Sequence, residues 1–290
     1  MADYRIFTDS TTDLPASLAD ELELTVLPLS FTIDGKTYKN YLDGREMSAR
    51  DFYNHIRAGA MPTTSQVNPD GFIEAFSPTL KAGEDILYLA FSSGLSGTCQ
   101  SAKIAADQLK DEFPERKIVV VDTLCASLGE GLFVYYCAKK KQDGATLDEV
   151  AAWAEANKLH LCHWFTVDDL HHLKRGGRVS AAAAVLGTML NIKPVLHVDN
   201  AGHLIPVSKV RGRRQSIDAL MGKMAELAVS PEKQVIFISH SDCLEEAKGL
   251  GARIREKLHV KDVVINDIGP VIGSHTGCGT IALFFMGKER

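Results

Sequence analysis

The sequence predicts an α/β fold in two parts, an N-terminal α/β domain over 1–157 and a C-terminal α/β domain over 158–290. Three observations carry that expectation. At 290 residues the chain is about two domains long, at roughly 150 residues each. Hydrophobic residues make up 45%, charged residues 24% and aromatics 7%, an ordinary mix for a chain that buries a full core without disulfides or structural metal. Short β-rich runs alternate with helical patterns through the first half, which implies a mainly parallel sheet with helices on both faces.

The elements follow in order. Tyr4–Phe7 is a short strand ending in TDSTTD, and Pro15 opens a helix to about Leu22. Val26–Ile33 and Lys36–Tyr38 read as a hairpin, because Asp34-Gly35 supplies the positive φ angles of a type I′ turn. Ser48 with Asp51 resembles a capping box for a helix to about Ala58. Asn68-Pro69 starts another helix, to about Leu80. Ile86–Phe91 is a strand, SSGLSGT a loop, Ser101–Leu109 a helix and Lys117–Val121 a buried strand. A long helix follows over Ala126–Lys141, and Thr146 with Glu149 caps the next one, to Asn157.

The second half is punctuated differently. Leu159–Val167 is strand-like, LHHLKRGGR is basic, and SAAAAVLGTML reads as a small-residue helix. IKPVLHV and HLIPVSKV flank Asn200-Ala201-Gly202, which favours an antiparallel pair. Helices near 213–228 and 243–258 flank the strand Val235–Ser239. Val263–Ile268 then leads through the loop GPVIGSHTGCGT to the last apolar run, IALFF. The expected boundary lies near 155–160.

Charge and cysteine usage exclude several classes. Lys+Arg 32 against Asp+Glu 37 gives −5, too mild an imbalance for a general nucleic-acid or membrane-surface binder. The N-terminus lacks a basic segment followed by an apolar one, so no signal peptide is expected, and no apolar run approaches the ~18 residues of a membrane span. Six cysteines without a CxxC pair read as reduced, mostly buried thiols of a cytoplasmic protein. His160, Cys162 and His163 crowd together without zinc-ligand spacing, and His171-His172 diverge, so no metal is expected.

Anion binding must then be local. Thr63-Thr64-Ser65, Ser92–Thr98 and His275–Gly279 are hydroxyl-rich or glycine-rich loops whose N–H and O–H groups suit an anion. Gly277–Ala282 matches GxGxxA, but no βαβ unit can follow it. Gly94–Gly97 falls one position short of a nucleophile elbow. No GxxxxGK[ST] loop occurs. In the basic run Lys209–Arg214, Arg213 and Arg214 oppose the dipole of the helix they begin, a cost that a ligand carboxylate or an acidic partner is expected to offset.

Taken together, TDSTTDLP (8–15), PTTSQ (62–66), SSGLSGT (92–98), VVDT (120–123), LKRGGRVS (173–180), LNIKPVL (190–196), KVRGRR (209–214) and VIGSHTG (271–277) resemble the DegV family of bacterial fatty-acid-binding proteins. That family includes the lipid-binding subunits of fatty acid kinase. The resemblance implies two α/β domains with a lipid pocket between them, and a bound long-chain fatty acid as ligand. It also implies an ATP-using kinase partner that converts the carboxyl to an acyl phosphate, with no cofactor and no phosphoryl-transfer site in this chain. By position it implies carboxylate ligands at Thr64, Ser96 and His275, with Arg211 near the same pocket and Ser93 as a neighbouring candidate. Transient contact with membrane lipid is compatible with it, and nucleic acid is not expected. Val67 and Cys278 stand where many members carry proline, which relaxes the backbone beside the head-group site. The alternative is a serine hydrolase acting on an acyl ester through Ser96 and His275, with Asp9 or Asp122 as orienting acid; a DNA-binding regulator is remoter.

Overall fold

The computed structural model describes residues 3–180 and 191–290; the small-residue helix expected over 180–190 lies, but for Ser180, outside them. A four-stranded parallel sheet has the order β2-β1-β6-β7, from β1 (Tyr4–Asp9), β2 (Thr25–Leu27), β6 (Asp85–Ala90) and β7 (Ile118–Asp122). Its strands alternate strictly. Phe7, Ile86, Tyr88 and Ala90 pack against α3 (Pro69–Lys81) and α4 (Thr98–Glu112) on one face. Ile6, Leu87, Leu89 and Val121 pack against α5 (Leu128–Gln142) and α6 (Leu147–Asn157) on the other. Both faces are covered, as a parallel sheet requires.

The second sheet is six-stranded, in the order β10-β9-β8-β13-β11-β12. It comprises β8 (Leu161–Thr166), β9 (Ile192–Val198), β10 (Leu204–Arg211), β11 (Val235–His240), β12 (Asp262–Asp267) and β13 (Ile281–Met286). Only β11 and β12 run parallel. Trp164, Ile236, Ile238 and Leu283 face α8 (Arg213–Leu227) and α9 (Leu244–Leu258). Phe165, Leu196, Phe237 and Phe284 face the other way and join the same core as Ile6 and Leu89. The helix between the sheets is α5, whose Leu128–Val134 segment is buried throughout. Its one ionisable residue in that segment, Glu130, accepts hydrogen bonds from the Thr8 and Thr11 hydroxyls, which satisfies its carboxyl inside the core.

A third, antiparallel sheet, β4-β3-β5, is built from β3 (Ser30–Ile33), β4 (Lys36–Lys39) and β5 (Thr63–Ser65). Its Asp34-Gly35 turn has φ of 51° and 78°, as the hairpin predicts. Phe31 and Ile33 pack on Phe52 and Tyr53 of α2 (Ala49–Arg57) and on Val271 of α10 (Pro270–Thr276). The chain's early residues are thereby anchored to its late ones.

Four expectations are corrected here. Residues 26–33 are not one strand: Pro28 separates β2, which joins the parallel sheet, from β3, which does not. Thr63–Ser65 is not a loop but an edge strand paired with β3. GPVIGSHT is not a loop but α10, begun by a proline whose missing N–H costs nothing in a first turn. Asp51 does not complete a capping box, since its carboxylate bonds the Ser48 hydroxyl instead of the Ser48 N–H, although Ser48 does cap the Asp51 N–H. The Thr146–Glu149 box is complete.

Candidate functional site: a cavity polar at one end

Between the sheets, α10 and the loop after β6 lies a cavity of about 390 Å³, within the range of small-molecule sites. Its polar side chains are not spread evenly. Thr64, Gln66, Ser96, Arg178 and His275 gather at one end, where Ser65, Gln66 and Gly97 are also exposed to solvent. That end is the mouth. The interior is walled by Phe91, Phe165, Leu173, Val198, Val271, Ala282 and Phe284.

Separate segments build the mouth. Thr64 stands opposite Phe31 in the β3–β5 pair, on the buried face of the small sheet. Its Oγ1 lies 2.9 Å from His275 Nε2, in the last turn of α10. Ser96 precedes α4; its Oγ accepts the Thr98 N–H and lies 2.9 Å from Thr98 Oγ1. Gly97, the N-cap of α4, has no side chain because Gln66 occupies the space, and the Gln66 amide donates to Ser101 Oγ at 3.0 Å. Arg178 follows α7 (His171–Arg175) and the left-handed Gly177. Its Nε donates to Leu95 O at 3.1 Å, which fixes the guanidinium at the rim.

Burial, with Arg178 and Arg175 adding, pushes the His275 imidazole down to about 4, so it is neutral near pH 7. Its Nδ1 is buried without a hydrogen-bond partner. A Cβ on Gly176 would overlap that nitrogen, so only glycine fits there. An unprotonated Nδ1 is the cheaper choice in such a place. Nε2–H then donates to Thr64, and the Thr64 hydroxyl proton is free for an acceptor in the cavity. Thr64 and Ser96 hydroxyls beside the Arg178 charge can together hold a carboxylate.

Of the five residues expected at a head-group site, Thr64, Ser96 and His275 line this cavity and Ser93 and Arg211 do not. Ser93 is exposed, and its N–H donates to Asp122. Arg211 is exposed on edge strand β10, opposite Ile192 of β9, and is not among the residues that line the cavity. Sequence reasoning passed over Arg178, since its run LKRGGR looked uniformly basic; its distinguishing neighbour is the αL Gly177, which turns the chain back toward the cavity. Val67 and Cys278 do not line the cavity; both pack behind it against the Phe31–Phe52 cluster.

The hydrolase arrangement is not assembled. Ser96 bonds Thr98, not His275, and His275 bonds Thr64. The Asp9 oxygens accept from Thr11, Tyr88 and the Phe91 N–H, and Asp122 accepts the Ser93 and Leu124 N–H groups. The acid that offsets Arg213 comes neither from a ligand nor from a partner but from the chain itself, at Glu246 Oε2, 2.8 Å away. Among the described residues there is no cluster of His, Cys, Asp or Glu able to hold a metal, and no helix long and apolar enough to cross a membrane.

Beneath the cavity lies a buried carboxyl group the sequence did not single out. Asp13 accepts the Ser127 hydroxyl at 2.6 Å and the Gly269 N–H at 2.9 Å, and Ser127 lines the cavity. Burial outweighs those two bonds and raises Asp13 to about 8, so it carries a proton near neutral pH.

This sequence matches the family model described as "Uncharacterised protein, DegV family" over residues 3–288. It is 50% identical over 290 residues to a DegV domain-containing protein of Clostridium perfringens, covering 100% of this chain and 99% of that one. The fold is similar to that of a DegV family protein from Thermus thermophilus whose structure is described for fatty acid binding. The TM-score is 0.86 at 32% identity, over 98% of this chain and 99% of that one. A DegV lipid binding protein from Thermotoga maritima is as similar, with a TM-score of 0.87 at 30% identity and 99% of each chain covered.

Proposed function

The chain belongs to the DegV family, and from that premise we propose that it binds a long-chain fatty acid in the cavity between its sheets and presents the carboxyl group to a partner kinase. The observation that carries this reading is the uneven polarity of the cavity: an interior walled largely by apolar side chains, with Thr64, Ser96, His275 and the Arg178 guanidinium gathered at the end that opens to solvent.

The energetics suit a carrier. Burying the ~14 methylenes of a palmitoyl chain yields roughly 11 kcal/mol gross. Ordering the chain subtracts several kcal/mol, which leaves roughly micromolar affinity from the tail alone, before the head-group bonds add to it and without any chemical step. A carboxylate cannot be buried bare, and the mouth lets it meet donors while staying near solvent. A group held there is reachable by a second protein, which would supply ATP and the phosphoryl chemistry in the cytoplasm. In this reading the division at 157/158 separates the two halves that close on the ligand. The exposed Arg175 beside the mouth would meet the kinase or an anionic lipid surface.

Native mass spectrometry of the purified protein with palmitic, oleic and stearic acids tests the binding step. A one-to-one complex is expected. Absence of any complex would overturn the reading. For presentation, phosphorylation of the bound acid by the partner kinase should fall with Arg175→Glu, and an unchanged rate removes that docking surface.

A further inference from the structure

We propose that the inner wall formed by His163 and Phe284, seated against Gly129, sets the longest acyl chain this protein accepts. The inference rests on the fatty-acid reading above and deepens it. β13 runs along the cavity floor, and Thr280, Ala282 and Phe284 all line it. Thr280 Oγ1 donates to Thr276 O at 3.3 Å, beside His275, so the strand starts at the mouth. Phe284 lies four residues further on, roughly 13 Å deeper. Across the antiparallel pair, Ala282 is opposite Phe165 and Phe284 is opposite His163. A tail entering past the small Ala282 therefore meets the two rings of the next row.

Those rings are held in place. His163 Nδ1 donates to Leu161 O at 3.2 Å, and Nε2 accepts the Ala126 N–H at 3.3 Å. Both ring nitrogens are committed to backbone, and burial keeps the imidazole neutral, so it offers the cavity an uncharged edge. Phe284 meets it edge to face, centroids 5.3 Å apart. From the α5 side, Gly129 sits so close that a Cβ would overlap the His163 ring and press on Phe284. In a protein interior packed to crystal density, an added methyl there displaces its neighbours toward free volume, which is the cavity.

The test is a chain-length profile, measured by competition against a fluorescent fatty acid with myristic, palmitic, stearic and arachidic acids. Gly129→Ala should leave the shortest acids unaffected and weaken the longest by roughly fourfold for each methylene excluded. Phe284→Leu should move the profile the other way, improving arachidic relative to palmitic acid, and it decides the matter if the alanine variant does not fold. Variants that bind with the wild-type profile overturn this inference alone. A wild-type protein that binds none of the four acids overturns the fatty-acid reading and this inference with it.

Discussion

The two ends of the cavity are built in opposite ways. At the mouth, Thr64, Ser96, Arg178 and His275 come from a short edge strand, a loop, the turn after a one-turn helix and the end of a two-turn helix. At the inner end, His163, Phe165, Ala282 and Phe284 come from two adjacent strands in fixed register, backed by α5. The mouth depends on several segments holding their relative positions through single hydrogen bonds, such as Arg178 to Leu95 O and Thr64 to His275. The inner end depends on close packing. Changes at the mouth should therefore alter affinity broadly for any acid, and changes inside should alter which acids fit.

The largest expected effect is a block of the interior. Ala282→Phe places a ring over the cavity floor and should reduce palmitate binding by more than ~100-fold, since most of the tail loses its place. Circular dichroism would establish that the variant is folded, and retained tight binding would show that the tail does not cross β13. Next comes the mouth. His275→Ala removes the donor that orients Thr64 and should weaken all acids by roughly 10-fold, the cost of one lost hydrogen bond to a half-buried polar group. His275→Gln, which can still donate to Thr64, should recover most of that loss; equal defects in the two variants would mean that His275 acts by its shape alone.

A smaller effect concerns the support under the inner end. Asp13 is raised from 3.8 to about 8 by burial, so the native state holds its proton more tightly than the unfolded chain does. Its contribution to stability therefore falls as pH rises from about 4 to about 8 and stays low above that. Asp13→Asn mimics the protonated acid and should flatten that decline, visible as a smaller drop in Tm between pH 5 and pH 8 by roughly a few degrees. A variant with the wild-type slope would mean that Asp13 is ionised in the native protein. The smallest effect is at the residues that the mouth does not include. Ser93→Ala and Arg211→Ala should change fatty-acid affinity by less than ~2-fold, and a larger loss at either would place the head group elsewhere.

The same contrast governs what could be read in advance. The loops that meet at the mouth were legible because they are hydroxyl-rich and glycine-rich runs whose composition is unlike a core, while the choice of Thr64, Ser96 and His275 within them came from the resemblance to the DegV family. Arg211 shares that polar character but is exposed on an edge strand, whereas Arg178 follows the left-handed Gly177, a signal that the uniformly basic run masked. The inner end was not legible, because a His, a Phe and an Ala at alternating strand positions look like any buried face. Gly129 was silent for the same reason: the overlap that excludes a side chain arises from a strand met 34 residues later. In the fold, the strand–helix alternation and the Asp34-Gly35 hairpin were plain, whereas α10 begins on a proline and is too short for its periodicity to register. β2 and β3 merged because Pro28 interrupts one apolar run that serves two sheets.

An acyl chain is expected to lie along β13 with its carboxylate at Thr64 and its tail against His163 and Phe284. A crystal structure of the protein with bound palmitate tests it most directly. The expected result is a carboxylate oxygen about 3 Å from Thr64 Oγ1 and a terminal methyl in van der Waals contact with the Phe284 ring. Palmitate bound outside this cavity, or inside it with the carboxylate at the His163 end, would contradict it.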